Sequence, residues 1–374
     1  MTKKMYYYTS TETMQKILQN GNIWATNLAY MNDEREISNG LDEIRSILLD
    51  LPKVGEWLKK HPELNISESA YEKLEPKEIL TDAYRTKLLN SSSKYTISFC
   101  EKKNLLSQWI AYAKESGVCI EMEFDLECDI KFWFYGSEPD EQERKLDKYA
   151  RPQKILYYTQ TSDMPEVEKD KTCNEILDRV FVAEPTPELL KKKWNEVSIY
   201  VKHYDFYQEE EYRINFETEE WPTFRIGYRT DKHILKPYLD VACENGWPVT
   251  AVMVGPGFNQ QVVFDSLKFF LNHEKVRSSA LRSSLQWQAH IAGYFSEMEQ
   301  DLNGLEPSVK EKQKKLYDWL GTLKEEEFED GSIRANIQKR VVDLIGNKNQ
   351  EYFKLHYLTV SGIIIQKSDI PYIY

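Results

Sequence analysis

The chain has 374 residues, and a 41% hydrophobic, 13% aromatic composition supplies enough apolar surface for one large core or two smaller ones. Its net charge of −12, from 61 acidic against 49 basic side chains, argues against a protein that coats nucleic acid through a general positive field. The chain contains no apolar run of membrane-span length, and its N-terminus (MTKKMYYYTS) lacks the apolar stretch of a signal peptide, so the expectation is a folded cytoplasmic protein with no membrane partner.

In chain order, a short aromatic strand from Met5 to Thr9 leads into a helix. Ser10 or Thr11 caps it, Met14, Ile17 and Leu18 form its apolar side, and Asn20-Gly21 ends it. A strand from Ile23 to Thr26 follows, then a polar turn containing Asn32 and Asp33, then a helix from about Arg35 to Leu49. Residues 52–90 read as further helices on a charged, peripheral excursion. The chain returns to strand at Lys94 to Cys100, passes Leu106-Ser107-Gln108-Trp109 before a short helix, and forms a strand from Gly117 to Phe124. Residues 136–150 read as a charge-rich loop, Lys154 to Tyr158 as a strand, and 172–201 as helical with Trp194 and Ile199 in the core.

The run Phe206 to Arg213 (FYQEEEYR) is the strongest candidate for chemistry. Read as a strand, it places Glu209, Glu211 and Arg213 on one face. Two adjacent carboxylates repel, which raises one pKa unless a cation such as Arg213 compensates. The same pattern also describes a solvated edge strand with a local ion pair.

Thr223 to Tyr228 and the β-branched Val249 to Val254 complete the strands of this region. Gly255-Pro256-Gly257 then opens a helix from about Gln260 to Leu271, a turn that could cradle a phosphate but is ordinary strand-to-helix chemistry. Lys275, Arg277 and Arg282 form a local basic stretch that could meet phosphates or simply start a helix. From 276 to 356 Leu302, Leu305, Val309, Leu316, Trp319 and Leu323, then Ile333, Ile337, Val341 and Leu344, recur at heptad-like spacing and read as a packing seam against the core or a second copy. An apolar strand, Gly362 to Gln366, closes the chain. Neither GxGxxG nor GxxxxGK[ST] occurs, the five cysteines form no CxxC, and the six histidines form no HExxH, so no Rossmann or P-loop site, disulfide framework or metal site is expected.

Set in order, Tyr8-Thr9-Ser10, Trp24-Ala25-Thr26, Met31-Asn32-Asp33 with Glu36, Ser98-Phe99, Leu106-Ser107-Gln108-Trp109 with Tyr112, Lys202-His203 with Phe206, Glu209, Glu211 and Arg213, Val254-Gly255-Pro256 and Ser368 resemble the domain of unknown function family 2971 (DUF2971). The layout is in turn similar to ADP-ribosyltransferase-like folds. The resemblance implies an α+β fold with a mixed, split-sheet core over 1–275 plus 360–374, and a C-terminal helical insertion over 276–359. It further implies NAD as substrate, bound by Tyr7, Tyr8, Thr9, Ser98, Phe99, Gln108, Trp109, Tyr112 and Arg213. Glu211 is then the first choice, with Glu209 beside it, for stabilising the ribosyl cation formed when the nicotinamide bond breaks. Tyr7 stands where many relatives carry His.

The leading expectation is therefore an NAD-using ADP-ribosyltransferase-like protein, a toxin or defence effector of bacteria or phage, with a protein or nucleic-acid acceptor. The alternatives are a non-catalytic binding or assembly protein that self-associates through the helical segment, and a nuclease-like enzyme holding a divalent ion on the acidic cluster.

Overall fold

The computed structural model describes residues 1–31, 36–74, 76–78, 93–113, 117–135, 145–161, 163–181, 186–218, 225–231, 233–243, 246–279, 289–294, 307–324, 327, 331–345, 354 and 356–371. Helices and a mixed sheet alternate irregularly, in keeping with the α+β class read from the sequence. The chain divides into two compact units, Met1–Ile23 with Phe99–Trp133 and Ala242–Tyr374, and Trp24–Ser98 with Phe134–Val241. Residues 1–275, expected as one core, contribute to both, and the helical segment belongs to the first.

The first unit is organised by Val249–Val254, every residue of which is buried, as suits a β-branched strand covered on both faces. It pairs in parallel with Ile364–Lys367 and antiparallel with Val118–Asp125, which in turn pairs with Thr2–Thr9 from Thr2↔Asp125 to Thr9↔Val118. The Thr11–Asn20 helix forms as its sequence dictates: the Ser10 hydroxyl accepts from Thr13 N–H, and Gly21 ends the helix at φ 80°, its N–H donating to Ile17 O. Arg277, a candidate phosphate ligand by sequence, instead serves that helix end, its N–H donating to Leu18 O and its Nη1 to Asn20 O. Arg282 lies outside the described residues.

In the helical segment the structure shows Pro307–Leu320 and Gly331–Ile345, packed on one another. Leu316, Leu320, Ile337, Val341 and Leu344 are buried, while Trp319, half-buried, carries the Arg340 guanidinium 4.0 Å from its ring. Leu320 is buried in place of Leu323, which lies beyond the end of the Pro307–Leu320 helix and is half-buried. Leu302 and Leu305, with the Asn32 and Asp33 of the early turn, lie outside the described residues. Gln338 Nε2 donates to the Tyr357 hydroxyl, so this helix is tied to the His356–Leu358 strand of its own unit. Of the two uses expected for the apolar stripe, packing on the core or on a second copy, the structure shows packing inside the chain.

The second unit has a helical core. Glu36–Leu48, Leu51–Lys60, Glu166–Val180 and Pro187–Ser198 enclose the parallel pair Leu156–Tyr158 and Val201–His203. The expectation of a peripheral excursion after residue 52 fails here. Val54, Trp57 and Leu58 form an i, i+3, i+4 stripe that is buried among charged neighbours, and Trp57 stacks on Phe181 and donates to Asp178 at 2.9 Å. The expected loop 136–150 is also corrected, since Lys145–Ala150 is a strand; residues 136–144 lie outside the described set. Ile130–Tyr135 and Ile234–Cys243 are strands that the sequence reading did not assign.

Gly40 sits where the Glu36–Leu48 helix meets backbone: a Cβ there would lie 2.4 Å from Val201 O and 2.7 Å from Ser198 O. Gly40→Ala gains up to about 1 kcal/mol of helix propensity but must displace two fixed carbonyls, so a net loss of about 1–3 kcal/mol is expected in urea unfolding. Unchanged or raised stability would contradict this packing.

Candidate functional site

The strand begins only at Glu211, five residues after the start of the FYQEEEYR run that the alternation suggested, and continues to Glu217. Tyr204–Glu209 is a 3-10 helix, capped by the His203 ring accepting from Asp205 N–H, and Glu210 turns the chain with φ 42°. The three-residue turn eclipses side chains at i and i+3, and Tyr204 stacks on Tyr207 at 4.9 Å and 9°. Glu209 is therefore not on the strand, and the expected three-charge face reduces to Glu211 and Arg213.

A cation from another strand brings the two glutamates together. Lys202, on Val201–His203, places Nζ 2.6 Å from Glu209 Oε2 and 3.3 Å from Glu211 Oε2. Arg213 holds Glu211 with two prongs, Nε to Oε1 at 2.6 Å and Nη2 to Oε2 at 2.9 Å, and sends Nη1 to Ile199 O at 3.0 Å. Glu211 N–H donates to the Tyr157 hydroxyl at 2.9 Å, and Glu211 O accepts from Ile155 N–H. The Glu211, Arg213 and Lys202 side chains are 7%, 3% and 8% exposed, whereas Glu209 is 29% exposed.

Burial raises the Glu211 pKa, opposed first by the Lys202 charge and then by the Ser98 hydroxyl beside it. The two-pronged contact with Arg213 nevertheless favours the carboxylate form. Burial pulls Arg213 down to about 9, still protonated at neutral pH. Burial likewise works against the charge on Lys202, but Glu211 and Glu209 outweigh it and leave its pKa raised. The result is two carboxylates neutralised by two cations, Lys202 joining the Arg213 that the sequence suggested. Both Glu211 oxygens are committed to these cations. Among the described residues no group of three or more His, Cys, Asp or Glu side chains is placed to hold a metal ion.

The remaining candidates fall into the other unit, except Ser98, which belongs with Glu211. Tyr8 is buried, accepts from Leu105 N–H at 3.0 Å, and meets Trp109 edge-on at 4.8 Å; burial raises its pKa. Trp109 is buried, donates Nε1 to Asn104 Oδ1 at 3.0 Å, and leaves so little room at Gly255 that a Cβ there would lie 2.9 Å from its ring. Phe99 is buried among Tyr7, Phe124 and Trp247. Thr9 and Gln108 are buried, and Tyr112 is 47% exposed. Leu106, Ser107, Gln108 and Trp109 lie within the Leu106–Tyr112 helix, not before it.

A second cluster went unread in the sequence. The Glu211–Glu217 strand continues on the same face through Asn215 and Glu217 into a cavity of about 440 Å³ inside the second unit. Four cationic side chains, Lys94, Lys148, Arg179 and Lys193, line it against two carboxylates, Glu196 and Glu217. No local motif announces it, because its cations come from two strands and two helices spread over 100 residues of chain.

No family model, no curated protein and no solved structure matches this chain. Among the described residues no helix is long and apolar enough to cross a membrane.

Two outcomes are expected. Glu211→Gln breaks a buried pair and should cost about 3 kcal/mol of stability, against under about 1 kcal/mol for the more exposed Glu209→Gln; similar losses for both in chemical denaturation would contradict the cluster. Glu43, whose Oε1 lies 3.8 Å from His203 Nε2, has its pKa pushed up to about 7 by burial, with the Asp42 charge adding to the rise. The unfolded carboxyl ionises near 4.5, so the folded state holds the extra proton in between, and stability falls as pH rises from about 4.5 to about 7. Glu43→Gln should raise the Tm at pH 8 and match wild type near pH 4.5; a gap independent of pH would contradict the assignment.

Proposed function

We propose that this chain is a ligand-binding protein in which the Glu211 cluster is framework and the cationic cavity of the second unit is the working surface. The observation that carries this reading is that both Glu211 oxygens are held by Arg213 and Lys202 in a buried setting, while the nearby cavity gathers an excess of positive charge in a chain whose net charge is −12. A volume of about 440 Å³ falls within the usual range for small-molecule sites.

A second reading is the NAD-cleaving transferase implied by the resemblance to DUF2971 and ADP-ribosyltransferase-like folds. What favours it is the convergence of Glu209 and Glu211 on Lys202, with the Glu209 carboxylate partly open to solvent. In that reading Glu211 must exchange at least one intrachain cation for a developing ribosyl cation.

NAD consumption and thermal unfolding measured together on wild type, Glu211→Gln and Glu209→Gln separate the two. The binding reading predicts no NAD consumption that depends on Glu211, and a lowered Tm for Glu211→Gln. Consumption by wild type that falls about 100-fold or more in a Glu211→Gln protein of undiminished Tm would establish the transferase.

A further inference from the structure

Among the described residues the Ile226–Asp231 strand pairs with a single neighbour, Ile234–Cys243, in an unbroken register from Ile226↔Leu239 to Asp231↔Ile234. Its other side is a sheet edge, a row of backbone N–H and C=O groups shaped to take a further strand. The edge carries few of the usual guards. Its sequence, IGYRTD, contains no Pro and no Lys, its ladder has no bulge, and the Arg229 guanidinium is drawn back across the sheet, Nη2 donating to Thr26 Oγ1 at 3.1 Å. Ile226, Tyr228 and Thr230 share one face by alternation, with Leu235 opposite Thr230 on the neighbouring strand, and all four are exposed.

Charge identifies the partner. Two copies of this strand that meet antiparallel about a two-fold axis must set opposed residues on the same face, so the axis passes through a residue and not between two. An axis at Arg229 sets Arg229 against its own copy, and one at Gly227 sets Arg225 against Arg229 at both ends; like charges directly opposite one another are destabilising. Axes at Ile226 or Thr230 leave three or fewer residues of the strand paired. An axis at Tyr228 sets Arg225 opposite Asp231 at both ends, Ile226 opposite Thr230, Gly227 opposite Arg229, and Tyr228 opposite Tyr228. Opposite charges then meet, no like charges do, and the apolar positions of the two copies adjoin on one face.

We infer that the Ile226–Asp231 edge joins two copies of this chain in an antiparallel pair centred on Tyr228. The strand is complementary to itself in charge, in the match of apolar positions and in its unpaired backbone, which is what an isologous contact requires.

Light scattering of the full chain over a concentration series, combined with cysteine cross-linking, tests it. The mass should rise toward two chains as concentration increases to about 1 mM, and a mass of one chain throughout overturns the inference. Arg225→Asp or Asp231→Arg alone sets like charges opposite at both ends and should raise the dimer Kd about tenfold or more; the double swap should return it to within about threefold of wild type. An unchanged Kd in both single variants, or a double variant no tighter than either, overturns it as well. Cross-linking decides the matter should a charge variant fail to fold. In a Cys128→Ser background, which removes the exposed native thiol, Tyr228→Cys places two thiols across the axis at a Cα separation of about 4.5–5.5 Å, within disulfide reach, and mild oxidation should link the dimer. Thr230→Cys, about 13 Å along the strand from its own copy in this register, should not link. Linking of Thr230→Cys as readily as Tyr228→Cys, or linking of neither, overturns the assignment.

Discussion

Burying the Glu211 carboxylate is the constraint on which the second unit depends. Taking one carboxylate and one guanidinium out of water costs several kcal/mol for each, recovered only where opposite charges and hydrogen bonds meet them in good geometry. Arg213 gives the two-pronged contact from the same strand, Lys202 comes from Val201–His203, and Ile199 O takes the remaining arm of the guanidinium. Each of these groups has one place where its charge or polarity is compensated. The ends of the Pro187–Ser198 helix, the Val201–His203 strand and the Glu211–Glu217 strand are thereby fixed relative to one another within the unit.

The same strand links framework to cavity. Its period of two sends Glu211, Arg213, Asn215 and Glu217 to one face, the first pair into the ion cluster and the second pair into the cationic lining. The charges at the Arg213 end are balanced, whereas four cationic side chains line the cavity against two carboxylates. A balanced ion cluster beside a cavity lined mostly by cations has the character of a ligand surface next to a rigid support.

Local signals were legible in the sequence and longer-range ones were not. Ser10 and Gly21 bound a helix by their own chemistry, and Lys94–Cys100 and Val249–Val254 are strands whose β-branched and aromatic residues agree with their burial. FYQEEEYR misled because aromatic stacking at i, i+3 favours a 3-10 turn, which alternation alone does not reveal. The charge-dotted Lys145–Ala150 strand, and the burial of the Leu51–Lys60 helix whose apolar stripe is only three residues wide, were hidden by their polar composition. In the site, the Glu211–Arg213 pair could be read from i, i+2 spacing. The part played by Lys202 depends on a parallel strand pair, and that of Arg179 on a helix end, neither of which a sequence window contains.

The most direct measurement of this account is a double-mutant cycle between Glu211→Gln and Arg213→Gln, followed by chemical denaturation. A framework ion pair predicts a coupling energy of about 2 kcal/mol or more, with the double variant more stable than the sum of the single losses implies. Coupling within about 0.5 kcal/mol of zero would show that the two side chains act independently and would contradict the buried cluster as the support of the site.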